Sequence, residues 1–176
     1  MNELRRKAFH IASGTAIALL YYYSLISKIH LIILLAIAVI LFFAYKYYKI
    51  PIVHQLITTM ERKENLKQAG LASILFLLGC TITVILYQKN IAIASILILA
   101  FGDGTAGLIR MHTQTKTWTS TIAGIITATI TAQFFATWMQ ALITSVAAML
   151  AERINFRIDD NLYLPILAGA ILTLLS

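Results

Sequence analysis

An aspartate flanked by glycines inside an apolar run is the first residue of this chain that calls for a chemical explanation. Asp103 lies in Ala100-Phe101-Gly102-Asp103-Gly104-Thr105-Ala106-Gly107. An ionisable group at membrane depth is costly and faces a polar cavity or a partner. At about 1.5 Å per residue it is roughly 10 Å from Arg110. Two readings fit: a ligand for a metal or substrate, or a carboxylate neutralised by Lys or Arg from a neighbouring helix. Glu152, followed closely by Asp159-Asp160-Asn161, forms a second group. Adjacent acids and an amide supply hard oxygen ligands suited to Mg²⁺ bridging phosphates. The same residues also suit a helix start, with a side-chain cap and acids near the positive end of the dipole.

Two further segments carry cations or hydroxyls. Lys7, His10 and Gly14 follow i, i+3, i+7 spacing and share one helical face, which puts an ammonium and an imidazole together. Arg5, Arg6 and Lys7 also read as a topology signal, but that reading does not explain a histidine further in. Thr115, Lys116, Thr117, Thr119, Ser120 and Thr121 crowd a helix start, where hydroxyls, a lysine and free N–H groups make either a phosphate cradle or an ordinary cap. No P-loop pattern is present. Glu61-Arg62-Lys63-Glu64 reads as a solvated charge cluster, and His30 and His54 as loop or interface residues.

The elements that hold these residues must be helices in a bilayer. Of the 176 residues 60% are hydrophobic and only 12% charged, with mean hydropathy +0.83; a globular chain carries about 25% charged residues. Apolar runs of spanning length must satisfy their own backbone hydrogen bonds. Continuous runs such as Ile29–Tyr45 do not alternate as barrel strands do. The expected fold is all-α: a single-domain (1–176) transmembrane bundle with seven spans at about 8–26, 29–45, 68–87, 91–109, 119–137, 140–154 and 162–176. Met1–Lys7 with the first apolar run reads as a retained first helix, because no small-residue cleavage site follows.

Charge placement orients the bundle. With the amino terminus inside, only Lys28 and Lys89 of the 14 Lys and Arg residues fall outside, and every acid except Asp103 falls on the cytoplasmic side. The one sizeable loop, about Lys46–Lys67, is cytoplasmic too. Spans one, three, five and seven then aim their amino termini at the cytoplasm, a field suited to a polyanionic substrate. The net charge of +7 follows chiefly from this asymmetry. No nucleic-acid motif accompanies it, so DNA and RNA are not expected partners. Cys80, the lone cysteine, forms neither an internal disulfide nor a zinc site.

Taken in order, these segments resemble the CTP-dependent lipid-alcohol kinases: dolichol or polyprenol kinase, phytol kinase and CTP-dependent diacylglycerol kinase. The resemblance runs through Arg6-Lys7-x-x-His10-x-x-x-Gly14, Arg62-Lys63-Glu64 with Gly70 and Gly79, and Gly102-Asp103-Gly104-x-Ala106 with Arg110. It continues through Lys116-Thr117-Trp118 and ends on Ala151-Glu152 and Asp159-Asp160-Asn161-Leu162-x-x-Pro165. It implies transfer of the CTP γ-phosphoryl group to a membrane-embedded lipid alcohol at the cytoplasmic face, with Mg²⁺ as cofactor. Asp103, Asp159, Asp160 and Asn161 would hold the metal. Lys7, Arg110, Lys116, Thr117, Gly102 and Gly104 would bind nucleotide or phosphate. His10 or Glu152 would orient or deprotonate the hydroxyl, beside a catalytic Asp103.

Two other classes share these features. A cytidylyltransferase of the related phosphatidate type would release pyrophosphate rather than CDP. A small transporter or channel subunit would place Asp103 in a broken helix, but with internal repeats and a site at mid-bilayer. No repeat is visible, and the charges crowd one face.

Overall fold

The structure is a computed structural model that describes residues 3–48, 70–113, 115, 117–154 and 158–176. Every element in it is helical: α1 (Glu3–Tyr22), α2 (Lys28–Tyr48), α3 (Leu71–Leu86), α4 (Lys89–Leu97), a π-helical turn (Ile98–Asp103), α5 (Gly104–Thr113), α6 (Trp118–Ala132), α7 (Trp138–Arg153) and α8 (Asp160–Leu175). The π turn joins α4 to α5 as one rod, so seven rods stand where seven spans are expected. The expected all-α class is borne out. Most of the loop at 46–67, with His54 and the Glu61–Glu64 cluster, lies outside the described residues.

Local sequence explains where the rods stop. Ser24, at φ 58°, turns the chain between α1 and α2. Gly70 precedes α3 at φ 95°, a backbone state that favours glycine. Thr117 caps α6 by accepting from the Ser120 amide. Thr137 and Gln140 form a reciprocal capping box at α7. Asp159 caps α8 by accepting from the Asn161 amide.

The rod α4–α5 is the axis of the bundle, with α1, α3, α6, α7 and α8 packed around it. Residues Ala92–Leu97 are all buried. Small residues share the interior with large ones: Ala92, Ala94, Ala128, Ala132, Ala148 and Ala168 are each at most 1% exposed, beside buried Ile93, Ile96, Leu99, Leu164 and Leu172. Large apolar residues point outward: Ile122, Ile126 and Ile130 form an i, i+4, i+8 stripe on α6 that is 52%, 52% and 47% exposed. Residues α2 turns outward include Ile29, Ile33, Ile40 and Phe43.

Among the described residues, two helices are long and apolar enough to cross a membrane by length and composition, Lys28–Tyr45 and Lys89–Met111; the second is 78% buried within the bundle. The apolar helices Leu71–Leu86 and Asp160–Leu175 are shorter. At 16 residues each they reach about 24 Å, under a typical hydrocarbon thickness of about 30 Å.

Candidate functional site

Because the rods alternate in direction, the start of α1, the end of α5, the end of α7 and the start of α8 share one end of the bundle. Each brings an ionisable residue to a common point.

Asp103 is at the centre, closing the π turn and 3% exposed. Lys7 donates to its Oδ2 at 2.7 Å, and Arg110 to its Oδ1 at 3.0 Å. The second guanidinium arm of Arg110 forms a short hydrogen bond with Glu152 Oε1, itself 3% exposed. His10 Nε2 lies 3.6 Å from Asp103 Oδ2, has no hydrogen-bond partner, and packs against Phe76 with ring centroids 4.7 Å apart. Asp160 completes the group: carboxylate oxygens of Asp103, Glu152 and Asp160 lie within 4.8 Å of one another.

Both expectations for Asp103 therefore meet at one place. It is neutralised by Lys and Arg, and it also stands in a convergent carboxylate set. Asp160, at the mouth of α8 ahead of its apolar stretch, has its carboxyl pushed up to about 7, first by burial and then by the Asp103 and Asp159 carboxylates. Asn161, the next residue, has a buried Oδ1 with no hydrogen-bond partner. Hard oxygen donors and an orphaned amide oxygen fit a divalent cation such as Mg²⁺.

The structure redraws the expected metal set. Glu152, expected as an acid–base residue, converges with Asp103 and Asp160. Asp159 does not: its Oδ1 accepts from the Asn161 amide at 3.0 Å and caps α8. Thr117 is likewise a cap, its Oγ1 accepting from the Ser120 amide at 3.2 Å. Lys116 lies outside the described residues.

Gly102 and Gly104, expected at the phosphates, serve helix packing. A Cβ on Gly102 would meet Met149 Sδ at 2.7 Å, and one on Gly104 would collide with Ile11. Gly107, three residues on, faces α1 as well, where a Cβ would fall on the Lys7 side chain. The Gly104-x-x-Gly107 spacing on α5 thus receives Lys7 and Ile11, an i, i+4 pair on α1. This groove brings the ammonium to Asp103. The spacing was visible in sequence; its facing partner was not.

Gly79 shows a related device. A Cβ there would strike the carbonyl of Asn161 and sit 3.2 Å from Leu162 Cα. Pro165, inside α8, has no N–H to give the carbonyl four residues back, which is that of Asn161. Close approach at Gly79 therefore sets where the mouth of α8 sits. Gly79→Ala is expected to move Asp160 away from Asp103 and Glu152 while the helical circular dichroism stays unchanged. A structure of the variant would read the shift, and an unmoved Asp160 in a well-folded Gly79→Ala protein would show that the contact positions nothing.

Sequence reasoning treated Arg153 only as a topology charge. In the structure its NH1 donates to Thr121 Oγ1 at 2.9 Å and its guanidinium lies 4.1 Å from the centre of the Trp118 ring. It ties α7 to the first turn of α6. Its position next to Glu152 in sequence was the available signal.

An all-helical bundle with a buried carboxylate–cation cluster at one end is the class that fold and site define. No protein-family model matches the chain, and no solved structure matches it. The chain is 34% identical over 185 aligned residues to the protein named "Uncharacterized protein MJ1137" of Methanocaldococcus jannaschii, an alignment that takes in 98% of this chain and 93% of that one. It belongs to the family of that protein.

Proposed function

We propose that this protein is an integral membrane kinase that transfers the γ-phosphoryl group of CTP to the hydroxyl of a polyprenol- or dolichol-type lipid alcohol. The observation that carries the reading is the convergence of Asp103, Glu152 and Asp160, from three separate helices, around Lys7 and Arg110 at one end of the bundle.

Membrane residence is supported by the large apolar residues that the bundle turns outward. Exposing the Ile122–Ile126–Ile130 stripe and the outer face of α2 to water would forfeit about 25 cal/mol for each Å² of apolar surface. Small residues at helix contacts are what bilayer proteins use instead. Seven crossings with the amino terminus cytoplasmic put the charged cluster at the cytoplasmic face, within reach of a soluble nucleotide. The four rods of 15 or 16 residues suit a locally thinned bilayer. No internal repeat is visible in the sequence, which weighs against the transporter.

Phosphoryl transfer needs positioning and charge neutralisation more than covalent help. Asp103, Glu152 and Asp160, with Asn161, would hold Mg²⁺, which supplies charge stabilisation on the phosphate oxygens when bound. Lys7 and Arg110 hold the carboxylates in register and have donors to turn toward phosphate oxygens once those carboxylates are otherwise neutralised. Glu152 is engaged by Arg110, so His10 is the better base: its Nε2 is buried, without a hydrogen-bond partner, and oriented by Phe76. His10 takes the hydroxyl proton as the alcohol oxygen bonds to the γ-phosphorus, the bond from that phosphorus to the β-phosphate oxygen breaks, and CDP leaves.

The direct test supplies purified protein with γ-labelled CTP, Mg²⁺ and a polyprenol. Label is expected in the lipid phase as a monophosphate, EDTA should abolish it, and ATP should substitute poorly. Label released as pyrophosphate, with cytidine joined to a phospholipid, would establish the cytidylyltransferase instead.

Topology has its own test. Cys80 is fully buried on α3, so an impermeant maleimide should leave it unlabelled in intact membranes. Cysteines placed at Asn90 and Thr115, both exposed and at opposite ends of the axial rod, should label from opposite sides in a Cys80→Ala background. Labelling of both from one side would overturn the seven-span arrangement.

A further inference from the structure

Two of the three converging carboxylates sit on neighbouring helix ends, Glu152 in the last turn of α7 and Asp160 in the first turn of α8. Arg110 reaches Glu152 from α5, and Gly79 of α3 sets where the mouth of α8 sits, but neither joins α7 to α8. Tyr163 does. Its hydroxyl donates to the Ala151 carbonyl at 3.2 Å, and its ring packs against the apolar core. The Ala151 carbonyl and the Glu152 N–H are halves of one planar peptide unit, so a bond to that oxygen fixes the plane that ends in the Glu152 Cα. The same oxygen also accepts from the Ile154 amide at 3.0 Å, as a helix-end carbonyl with two lone pairs can. On the donor side, Asp160 and Tyr163 are an i, i+3 pair on one face of α8. At the far end of the same two helices, Gln140 Nε2 donates to the Leu175 carbonyl at 2.8 Å. Both ends of the α7–α8 pair are therefore tied, and the Tyr163 tie is the one beside the carboxylates.

We propose that Tyr163 is a positioning residue: by holding the Ala151 carbonyl it fixes the separation of Glu152 and Asp160, so that the carboxylates stand in place before a cation binds. The inference rests on the cation site of the kinase reading and adds the residue that keeps that site assembled. Carboxylate oxygens of Asp103, Glu152 and Asp160 lie within 4.8 Å of one another, and ionised carboxylates at that range repel. A tie between the two helix ends opposes their spreading, and a site already formed spends none of the binding energy on ordering. Without the hydroxyl, the fraction of molecules with Glu152 and Asp160 correctly spaced falls, and the apparent cation affinity falls in the same proportion. The effect of Tyr163 passes wholly through those two carboxylates.

The test titrates Mg²⁺ alone against the full-length protein in nanodiscs and reads the midpoint of its protection against thermal unfolding. Tyr163→Phe keeps the ring, and the Ala151 carbonyl keeps the Ile154 amide, so the melting temperature without Mg²⁺ should change little. The Mg²⁺ midpoint should rise about tenfold, the scale on which losing an outer partner of a metal ligand weakens binding. Gln140→Ala cuts the tie at the other end of the same helix pair and should lower the melting temperature without moving the midpoint. If Tyr163→Phe behaves like Gln140→Ala, with the midpoint unmoved, the hydroxyl is scaffold only; the positioning role is overturned and the cation site stands. Asp160→Asn should remove the Mg²⁺ response. A wild-type protein with no saturable response, or a response that Asp160→Asn leaves intact, would overturn the cation site and the role of Tyr163 together. A tenfold shift in Tyr163→Phe with no phosphoryl transfer from any nucleotide would keep Tyr163 and the cation site and remove the kinase.

Discussion

Asp103→Asn and Asp160→Asn should each lower phosphoryl transfer by about a thousandfold or more, with the double variant little worse than the poorer single one. Each change removes a charge from the trio that would hold the cation, and groups acting as one unit lose their effect together. Asparagine is close in volume to aspartate, so packing at the π turn and at the mouth of α8 should survive. Stability should move in opposite directions. Asp103→Asn takes away the shared acceptor of Lys7 and Arg110, leaving a buried ammonium poorly paired, and should destabilise. Asp160→Asn relieves a carboxyl that burial, and then its acidic neighbours, already push up to about 7 and should be neutral or stabilising. Mg²⁺-dependent protection against thermal unfolding should disappear in both. Two folded variants with wild-type turnover would remove the metal assignment.

Arg110→Gln is expected to be the most damaging change outside the carboxylates. Arg110 touches both Asp103 and Glu152, so its loss takes a counter-charge from two buried carboxylates. Breaking a buried ion pair from one side costs about 3–5 kcal/mol, enough to lower the melting temperature visibly. Turnover should fall by about a thousandfold if the same guanidinium also steadies phosphate oxygens. Arg110→Lys should recover much of the stability but little of the activity, because one ammonium cannot bridge two carboxylates with the two arms of a planar fork. Recovery of both by lysine would mean that only the charge is used. Loss of stability with turnover intact would confine Arg110 to the scaffold.

Several parts of this molecule were legible along the chain. Apolar runs of spanning length dictate helices, because backbone polar groups in such runs can be satisfied only within the segment. Rods that alternate in direction must then gather Lys7, Arg110, Glu152 and Asp160 at one end. Asp103 and Arg110 are seven residues apart, two turns along one face, so their pairing was also within reach of the sequence.

Tertiary structure alone decided which acids converge and which merely cap. Asp159 and Asp160 are indistinguishable by type and differ by one position, yet one bonds the Asn161 amide and the other faces Asp103 and Glu152. Which does which depends on the exit angle of α8, set by Gly79 against the Asn161 carbonyl. The glycines around Asp103 tell the same story. The resemblance implies Gly102 and Gly104 at a phosphate, and in the structure a Cβ on either would meet Met149 or Ile11. A missing Cβ records that something comes close without recording what. The π turn at Ile98–Asp103 left no local signature either, since an extra residue in a helical turn is stabilised by what it packs against. Identity along a chain determines the chemistry available and the end of the bundle where it gathers; distances of 3 Å between side chains on four helices depend on how those helices pack.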